Sequence, residues 1–278
     1  MAGPRRVREL DGDWRSDCTV APELEIYDVR DEEILARHAE WSLEHGINWW
    51  WMSWWARNHV SDDVFESFCA ADATDNVEFS VLFESAGLLE WDEGAVNFDD
   101  AVNRERLADY FRYFEDQFFG EPYYGRPVIF MFFSLAYEGD LEAAFAEAKA
   151  NIEADPYLVV NFGSVHDWTD PTEGQRERLD AFDAVTTYSS CKPREDIDDI
   201  EFVDRVMRAY AEWHDACADR GTAFILQVMP GYDDTRITHV SGREPHRCSL
   251  GTRSASRICA TEPANSLTMT STRPSSPR

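Results

Sequence analysis

Six short apolar runs recur along the chain, separated by longer stretches in which apolar residues are spaced three or four positions apart. The runs lie near residues 47–55, 77–83, 127–133, 157–162, 181–188 and 223–228. Because strict apolar–polar alternation is weak in these runs, they predict parallel strands that are covered on both faces. The intervening spacing predicts helices, including those at residues 31–46, 100–119, 141–154 and 199–220. The pattern therefore predicts an α/β protein.

The most unusual run is residues 47–55, which contain five tryptophans in nine positions. It is far shorter than the about 20 apolar residues that span a bilayer, and it follows a helix-ending glycine, so it predicts a strand buried on both faces. The carboxyl end of such a strand would present Trp54 and Trp55 above the sheet. Flat indole faces suit the apolar C–H faces of sugar rings. The alternative is that all five indoles belong to the core.

Polar and aromatic residues gather after the predicted strands, at the face where (β/α)8 barrels keep their sites. The expected fold is therefore α/β of the (β/α)8 TIM-barrel type, with a doubly wound open sheet as the competitor. No GxGxxG or Walker motif supports a nucleotide site in such an open sheet.

The chain has 278 residues and a net charge of −28, and only two of its residues are lysines. An acidic, lysine-poor surface suits solubility at high salt, which suggests a halophilic source, although an ordinary acidic protein is the alternative. The charge argues against nucleic acid as a partner, since phosphate binding needs basic patches. The six cysteines form no CxxC or zinc-type spacing, so we expect reduced thiols, no metal site and no cofactor. The start of the chain lacks the apolar stretch of a signal peptide, and we therefore expect a cytoplasmic protein with no membrane partner.

The composition divides the chain into three parts. Residues 1–26 are irregular, residues 27–238 carry the pattern of a partial (β/α)8 barrel, and residues 239–278 form a tail. The tail has six arginines, two glutamates, no aspartate and no aromatic residue, in contrast to the acidic remainder. It is expected to be disordered. A shift of the reading frame near Thr238 is the sharper interpretation of this change.

Several residues at the ends of predicted strands are candidates for a site. Glu84 directly follows a strand, where a carboxylate can accept a sugar hydroxyl or act in acid/base chemistry. The other candidates for contacts to sugar hydroxyls and rings are Tyr188, Tyr232, Asp233, Asp234, His166 and Trp168. Glycoside hydrolysis generally uses two carboxylates, and Glu84 stands alone among the glutamates at strand ends. Turns, loops and core positions without function remain the alternative for each of these residues.

Five segments together resemble glycoside hydrolase family 99 and its bacterial and archaeal relatives, which include the WbsX-type proteins of polysaccharide loci. They run in order from about Tyr27 to Ile237, and they are Trp41 through Ser53-Trp54-Trp55, the strand that ends in Glu84, residues 126–130, residues 182–188 and residues 230–237. The resemblance implies a (β/α)8 barrel that acts on α-mannose-type glycans with retention of configuration. It also implies that Glu84 contacts the reacting sugar, and that Trp54, Trp55, Tyr188 and Tyr232 fall on the sugar-binding face.

The sequence departs from that family at both ends of the barrel. The family's acid/base pair lies in an Asn-Glu-Trp-x-Glu-Gly-type segment, which this sequence lacks, and the family's opening Tyr-Tyr-Pro-Trp-Tyr-type strand is missing as well. We therefore expect strands two to seven of eight and a chain that is inactive in hydrolysis. A glycan-transfer protein of polysaccharide biosynthesis and a non-catalytic carbohydrate-binding protein are the two alternative functions.

Overall fold

The computed structural model describes residue 24 and residues 27–85, 87–119, 126–163, 171–187, 199–227, 231–233 and 247–249. The strands are β1 (Trp49–Trp54), β2 (Glu78–Phe83), β3 (Val96–Asn97), β4 (Val128–Met131), β5 (Tyr137–Glu138), β6 (Tyr157–Gly163), β7 (Ala184–Thr187), β8 (Ala223–Phe224), β9 (Gly231–Asp233) and β10 (Arg247–Ser249). The α-helices are α1 (Glu32–Glu44), α2 (Val60–Ala70), α3 (Ala101–Phe118), α4 (Leu141–Lys149), α5 (Glu173–Glu177) and α6 (Asp199–Ala218).

The main sheet has six strands in the order β1-β2-β4-β6-β7-β8, and every neighbouring pair is parallel. This order follows the chain without reversal, as in a (β/α)8 barrel, whereas a doubly wound sheet reverses at a switch point. The expected α/β fold of the barrel type and its six strands are therefore confirmed. Strands β1 and β8 lie at the two ends, and among the described residues the sheet does not close.

The sheet has a small apolar inner face and a large helix-covered outer face. Leu82, Phe130 and Val159 are buried on the inner face, where the Trp51 ring stacks on Phe130 with 4.5 Å between ring centroids. The outer face packs on the helices through the main core, which includes Phe111 of α3. Because side chains alternate between the two faces along a strand, each strand position assigns a residue to one layer.

Polar side chains fix the starts of five helices, including α2, where the His59 side chain accepts from the Ser61 backbone N–H. The side chains of Asp31, Asp100 and Asp140 accept hydrogen bonds from backbone N–H groups in the first turns of α1, α3 and α4. Thr172 begins α5 with a capping box that includes Gln175. Such caps satisfy backbone donors that have no partner inside the helix, and each typically stabilises by about 1 kcal/mol.

Arg126 ties three parallel strands together at the amino-terminal edge of the sheet. Its guanidinium lies 2.7 Å from Asp183 Oδ1 and 3.0 Å from Asp155 Oδ2, donates to the Pro156 carbonyl, and lies over the Tyr157 ring. Arg126 precedes β4, Asp155 precedes β6 and Asp183 precedes β7. Two of the five segments that carry the family resemblance therefore meet in one ionic cluster.

Three strands and one helix differ from the sequence expectations, and one of them is β8, which ends at Phe224 instead of near residue 228. Strand β1 is mostly half-buried rather than buried on both faces, because it lies at an end of the sheet. Strand β4 ends at Met131 and helix α4 at Lys149, both earlier than expected. Strand β10 pairs antiparallel with β9, and the expected boundary at residue 238 stays a prediction. The other residues of the segments 1–26 and 239–278, apart from residue 24, lie outside the described part.

Candidate active site

Glu84 lies directly after β2 and is buried, with 4% of its surface exposed. Leu82 is on the inner face, so Glu84, two positions further on, belongs to the same face. The Glu84 backbone N–H donates to the Trp54 carbonyl at 3.0 Å, which continues the pairing of β2 with β1. The sequence therefore placed this carboxylate at the correct strand end.

The two carboxylate oxygens of Glu84 have different surroundings. Oε1 accepts a hydrogen bond from the Ser53 hydroxyl at 2.5 Å. Oε2 is buried and has no hydrogen-bond partner within the described structure. Burial raises the pKa of Glu84 above its ordinary value, and the hydrogen bond from Ser53 opposes this by lowering the pKa. A carboxyl with a raised pKa and a free oxygen is suited to exchanging a proton or a hydrogen bond with a ligand.

Ser53 was missed in the sequence analysis, although a signal for it exists. It is the one polar residue of β1, and it lies on the inner face because it alternates with Trp51. The pairing of Ser53 with Leu82 in β2 brings its hydroxyl to Glu84, which follows two positions later. Finding this pair required the register of β1 on β2, which the sequence does not specify.

Two further polar residues on the inner face lie at the same height along their strands as Glu84. Leu82 pairs with Phe130, Phe130 with Val159, and Val159 with Ala184. Two positions further along these strands, the same level carries Glu84, Phe132, Asn161 and Thr186. Asn161 and Thr186 are 4% and 1% exposed. The carboxyl ends of β6 and β7 thus carry buried polar groups at the level of Glu84, with Phe132 between Glu84 and Asn161.

Trp54 and Trp55 differ in exposure, and the expectation that Trp54 contacts a sugar is corrected. Trp54 is 0% exposed and packs on the helix side against Phe83 and Phe114. Its face is set by alternation, because Ser53 points inward and its neighbour must therefore point to the helices. No sugar ring can reach an indole that is enclosed in this way. Trp55, by contrast, is 50% exposed.

Asp62 explains why Trp54 is held so firmly. This aspartate of α2 is buried and accepts hydrogen bonds from Trp54 Nε1 at 2.8 Å, from the Tyr113 hydroxyl at 2.6 Å and from the Asn58 backbone N–H at 3.0 Å. Arg57 lies over the Tyr113 ring, 4.5 Å from its centroid. Burial, with the Asp62 hydrogen bond as a further cause, raises the pKa of Tyr113. Asp62 therefore has a structural position behind the sheet and does not face the inner site.

Trp55 borders a groove of about 400 Å³ beside the outer edge of β1. Leu35, Met52 and Phe68 contribute apolar walls, and His59 adds a polar one. The Trp55 backbone N–H donates to the Ser61 hydroxyl, which fixes the chain at the start of α2. The volume is within the range of small-molecule sites, and the exposed indole keeps Trp55 as a candidate for ligand contact.

The remaining sequence candidates cannot be placed in the site. Tyr188, His166, Trp168 and Asp234 lie outside the described residues. Tyr232 and Asp233 form part of β9, which pairs with β10, and the description of this strand is limited to its backbone. Their contact with a sugar stays a prediction.

The described residues hold no group of three or more His, Cys, Asp or Glu side chains that could bind a metal ion. In the same part of the chain, none of the helices has the length and apolar character that crossing a membrane requires.

Comparison with known proteins gives matches among solved structures only. No family model and no curated protein sequence matches the chain. Two structures of the GH99 endo-α-mannosidase from Bacteroides thetaiotaomicron, one of them in complex with bis-tris-propane, are similar to it with TM-scores of 0.55 and 0.56 at 18% identity. They cover 82% and 81% of this chain, which spans 66% and 62% of their length.

A third structure, described as a glycoside hydrolase-like protein, has a TM-score of 0.65 at 14% identity and covers 89% of this chain and 76% of its own. At these identities the likeness concerns the fold. The resemblance to family 99 that the sequence suggested is therefore confirmed as a shared glycoside hydrolase-like architecture.

Proposed function

We propose that this chain binds α-mannose-type glycans at the carboxyl ends of its parallel strands, in the manner of a retaining glycoside hydrolase. Glu84 contacts the reacting sugar through Oε2, while Ser53 holds Oε1. The observation that carries the proposal is the buried, half-satisfied carboxylate of Glu84 on the inner face of a barrel-type sheet. A buried polar oxygen without a partner is costly, and a sugar hydroxyl would satisfy it.

Trp55 supplies an exposed indole at the neighbouring strand end, where it can take the apolar face of a sugar ring. Tyr188, Tyr232, Asp233 and Asp234 are proposed to complete the contacts to hydroxyl groups. Family 99 supports mannose as the sugar, because both Bacteroides structures are of an endo-α-mannosidase.

A second candidate function is carbohydrate binding without hydrolysis. Among the described residues only two carboxylates are buried, Glu84 and Asp62. Asp62 already accepts three hydrogen bonds on the helix side, so it cannot serve as the partner of Glu84. Glycoside hydrolysis generally requires two carboxylates, and the sequence also lacks the acid/base segment of family 99.

One assay decides between these functions. The full chain is incubated at high salt with α-mannotriose and with yeast mannan, and new reducing ends and their anomeric configuration are followed by proton NMR. Formation of the α-anomer first, abolished in Glu84→Gln, establishes retaining hydrolysis. Binding without turnover, weakened by Glu84→Gln, establishes the non-catalytic function. Binding and turnover that do not depend on Glu84 would overturn the proposal.

A further inference from the structure

Two exposed aromatic residues follow the strand ends next to Glu84, and neither is part of the proposed contacts to the reacting sugar. Trp91 lies in the segment after β2 and is 38% exposed, and Phe133 lies just after β4 and is 40% exposed. Their rings meet edge to face, with 6.3 Å between centroids and 85° between planes. Leu135, two residues after Phe133, is exposed to a similar degree.

The backbone of Phe133 is in an unusual conformation. Its φ is 61° and its ψ is 19°, in the left-handed region that bulky residues avoid. Such a conformation costs on the order of 1 kcal/mol or more and persists only where the surrounding structure enforces it. Residues held in this way cluster at ligand-binding positions, so the outlier calls for a functional explanation.

Two buried serines enforce the conformation, one on each side of Phe133. The Ser85 hydroxyl donates to the Phe132 carbonyl at 2.6 Å, and the Phe132 backbone N–H donates to the Phe83 carbonyl. The Ser134 hydroxyl donates to the Asn161 carbonyl at 3.0 Å and accepts from the Asn161 backbone N–H at 2.8 Å. The chain on both sides is therefore fixed to the neighbouring strand ends, and the Phe133 ring is directed out of the core.

The backbone just before Trp91 is fixed by a separate buried residue. Asn103 of α3 is 2% exposed, and its side chain accepts from the Glu90 backbone N–H and donates to the Glu90 and Asn97 carbonyls. The Glu90 side chain also forms an ion pair with Arg106 at 2.7 Å. The residue before Trp91 is thus anchored through both its backbone and its side chain, and the Trp91 indole itself contacts the Phe133 ring.

We propose that Trp91 and Phe133 form a second sugar subsite, an aromatic platform that takes the apolar face of a pyranose ring next to the ring at Glu84. This inference rests on the proposed function. One residue connects the platform to Glu84. Ser85 follows Glu84 in the chain, and its hydroxyl donates to the carbonyl of Phe132, the residue before Phe133. A pyranose fits better than a protein partner, because two rings cover far less than the about 800 Å² that each partner of a stable protein complex buries.

The experiment is isothermal titration calorimetry of the full chain with α-mannotriose and with maltotriose. We expect Trp91→Ala and Phe133→Ala each to weaken binding about tenfold, and the double variant to weaken it by less than the product, because the two rings contact one sugar. Leu43→Ala is the matched control, since Leu43 has 39% exposure at the carboxyl end of α1, which leads to the opposite edge of the sheet, and it should bind as the wild type does.

The variant Phe133→Gly separates the effect of losing the ring from the effect of the left-handed backbone conformation. Glycine adopts the left-handed conformation without strain, so this variant should fold at least as well as Phe133→Ala and still bind weakly. Platform-dependent binding of maltotriose as well as α-mannotriose would support the subsite while removing mannose as the assigned sugar. Wild-type affinity in both Trp91→Ala and Phe133→Ala, together with weakened binding in Glu84→Gln, would overturn the platform alone. Absence of binding by the wild type would overturn both proposals.

Discussion

Replacing Trp54 with phenylalanine tests whether this tryptophan is a core residue or part of a sugar-binding surface. The change removes the indole N–H that donates to Asp62 Oδ1 at 2.8 Å and leaves a smaller ring among Phe83, Tyr110 and Phe114. Since Asp62 is buried, the carboxylate oxygen loses its donor in a place that water reaches poorly. The structure therefore predicts a loss of stability.

The size of the loss follows from two contributions. A hydrogen bond to a charged group contributes about 1.5–3 kcal/mol. The lost atoms of the indole add roughly 1 kcal/mol of apolar burial. We therefore expect Trp54→Phe to lower the free energy of unfolding by about 2.5–4 kcal/mol, a large part of the about 5–15 kcal/mol that holds a typical domain together.

Equilibrium urea denaturation at constant salt, followed by circular dichroism, measures this difference. The slope of the free energy against urea should stay unchanged, because both variants expose a similar surface on unfolding. Trp55→Phe is the matched control, and with an indole that is 50% exposed it should change stability by less than about 0.5 kcal/mol. If Trp54→Phe is as stable as the wild type and instead loses affinity for sugars, the assignment of Trp54 to the core is refuted.

Four further predictions concern the buried carboxylate, a crowded glycine and the surface charge. Burial raises the pKa of Glu84, so at pH values between its ordinary and its raised pKa the folded chain binds more protons than the unfolded chain. The contribution of Glu84 to stability is therefore greatest below this pH range and falls as the pH rises through it. Glu84→Gln should therefore melt at a higher temperature than the wild type at neutral pH and lose this advantage in acid; equal melting curves at all pH values would contradict this. Ser53→Ala removes the donor to Oε1 and should destabilise by about 1.5–3 kcal/mol at neutral pH in urea denaturation, while Ser53→Thr retains most of the stability; a neutral Ser53→Ala would show that the hydrogen bond is not formed. Gly139→Ala places a Cβ 2.6 Å from Asn97 Oδ1 at a φ of +84° and should cost about 2 kcal/mol or more in the same assay, whereas Gly174→Ala, within α5 and with nothing within 4 Å of its Cβ, should not destabilise and should gain up to about 1 kcal/mol. With a net charge of −28, the melting temperature should rise steeply between dilute buffer and molar KCl, where the screening length falls to about 3 Å; an unchanged value would argue against adaptation to high salt.

The sequence was sufficient for the six strands of the main sheet and their order of appearance, because each of these strands is a short apolar run between helical spacings. It was not sufficient for their ends. Residues 127–133 form one continuous apolar run, yet β4 stops at Met131 and the chain turns at Phe133. Phenylalanine gives no local signal for a left-handed turn. The turn is imposed by Ser85 and Ser134, which come from different parts of the chain.

The site was predictable to a similar extent. Glu84 follows its strand as expected, but its hydrogen bond with Ser53 depends on the register of β1 on β2. The distinction between Trp54 and Trp55 depends on which of these two adjacent tryptophans α3 encloses and which one stays exposed. A run of tryptophans carries no alternation that could decide this, and only the assembled sheet assigns each one to a side.

The Arg126 cluster lies at the amino-terminal edge of the sheet, opposite the strand ends that carry the proposed site. At this end a single guanidinium joins the chain before β4 to Asp155 and Asp183, and the proposed ligand contacts lie at the other end. The segments that follow the carboxyl ends of the strands can therefore change in sequence or length without disturbing the hydrogen bonds of the Arg126 cluster. Replacing the segments after the strands with those of a relative should therefore change the glycan preference of the proposed site and leave the Arg126 cluster intact.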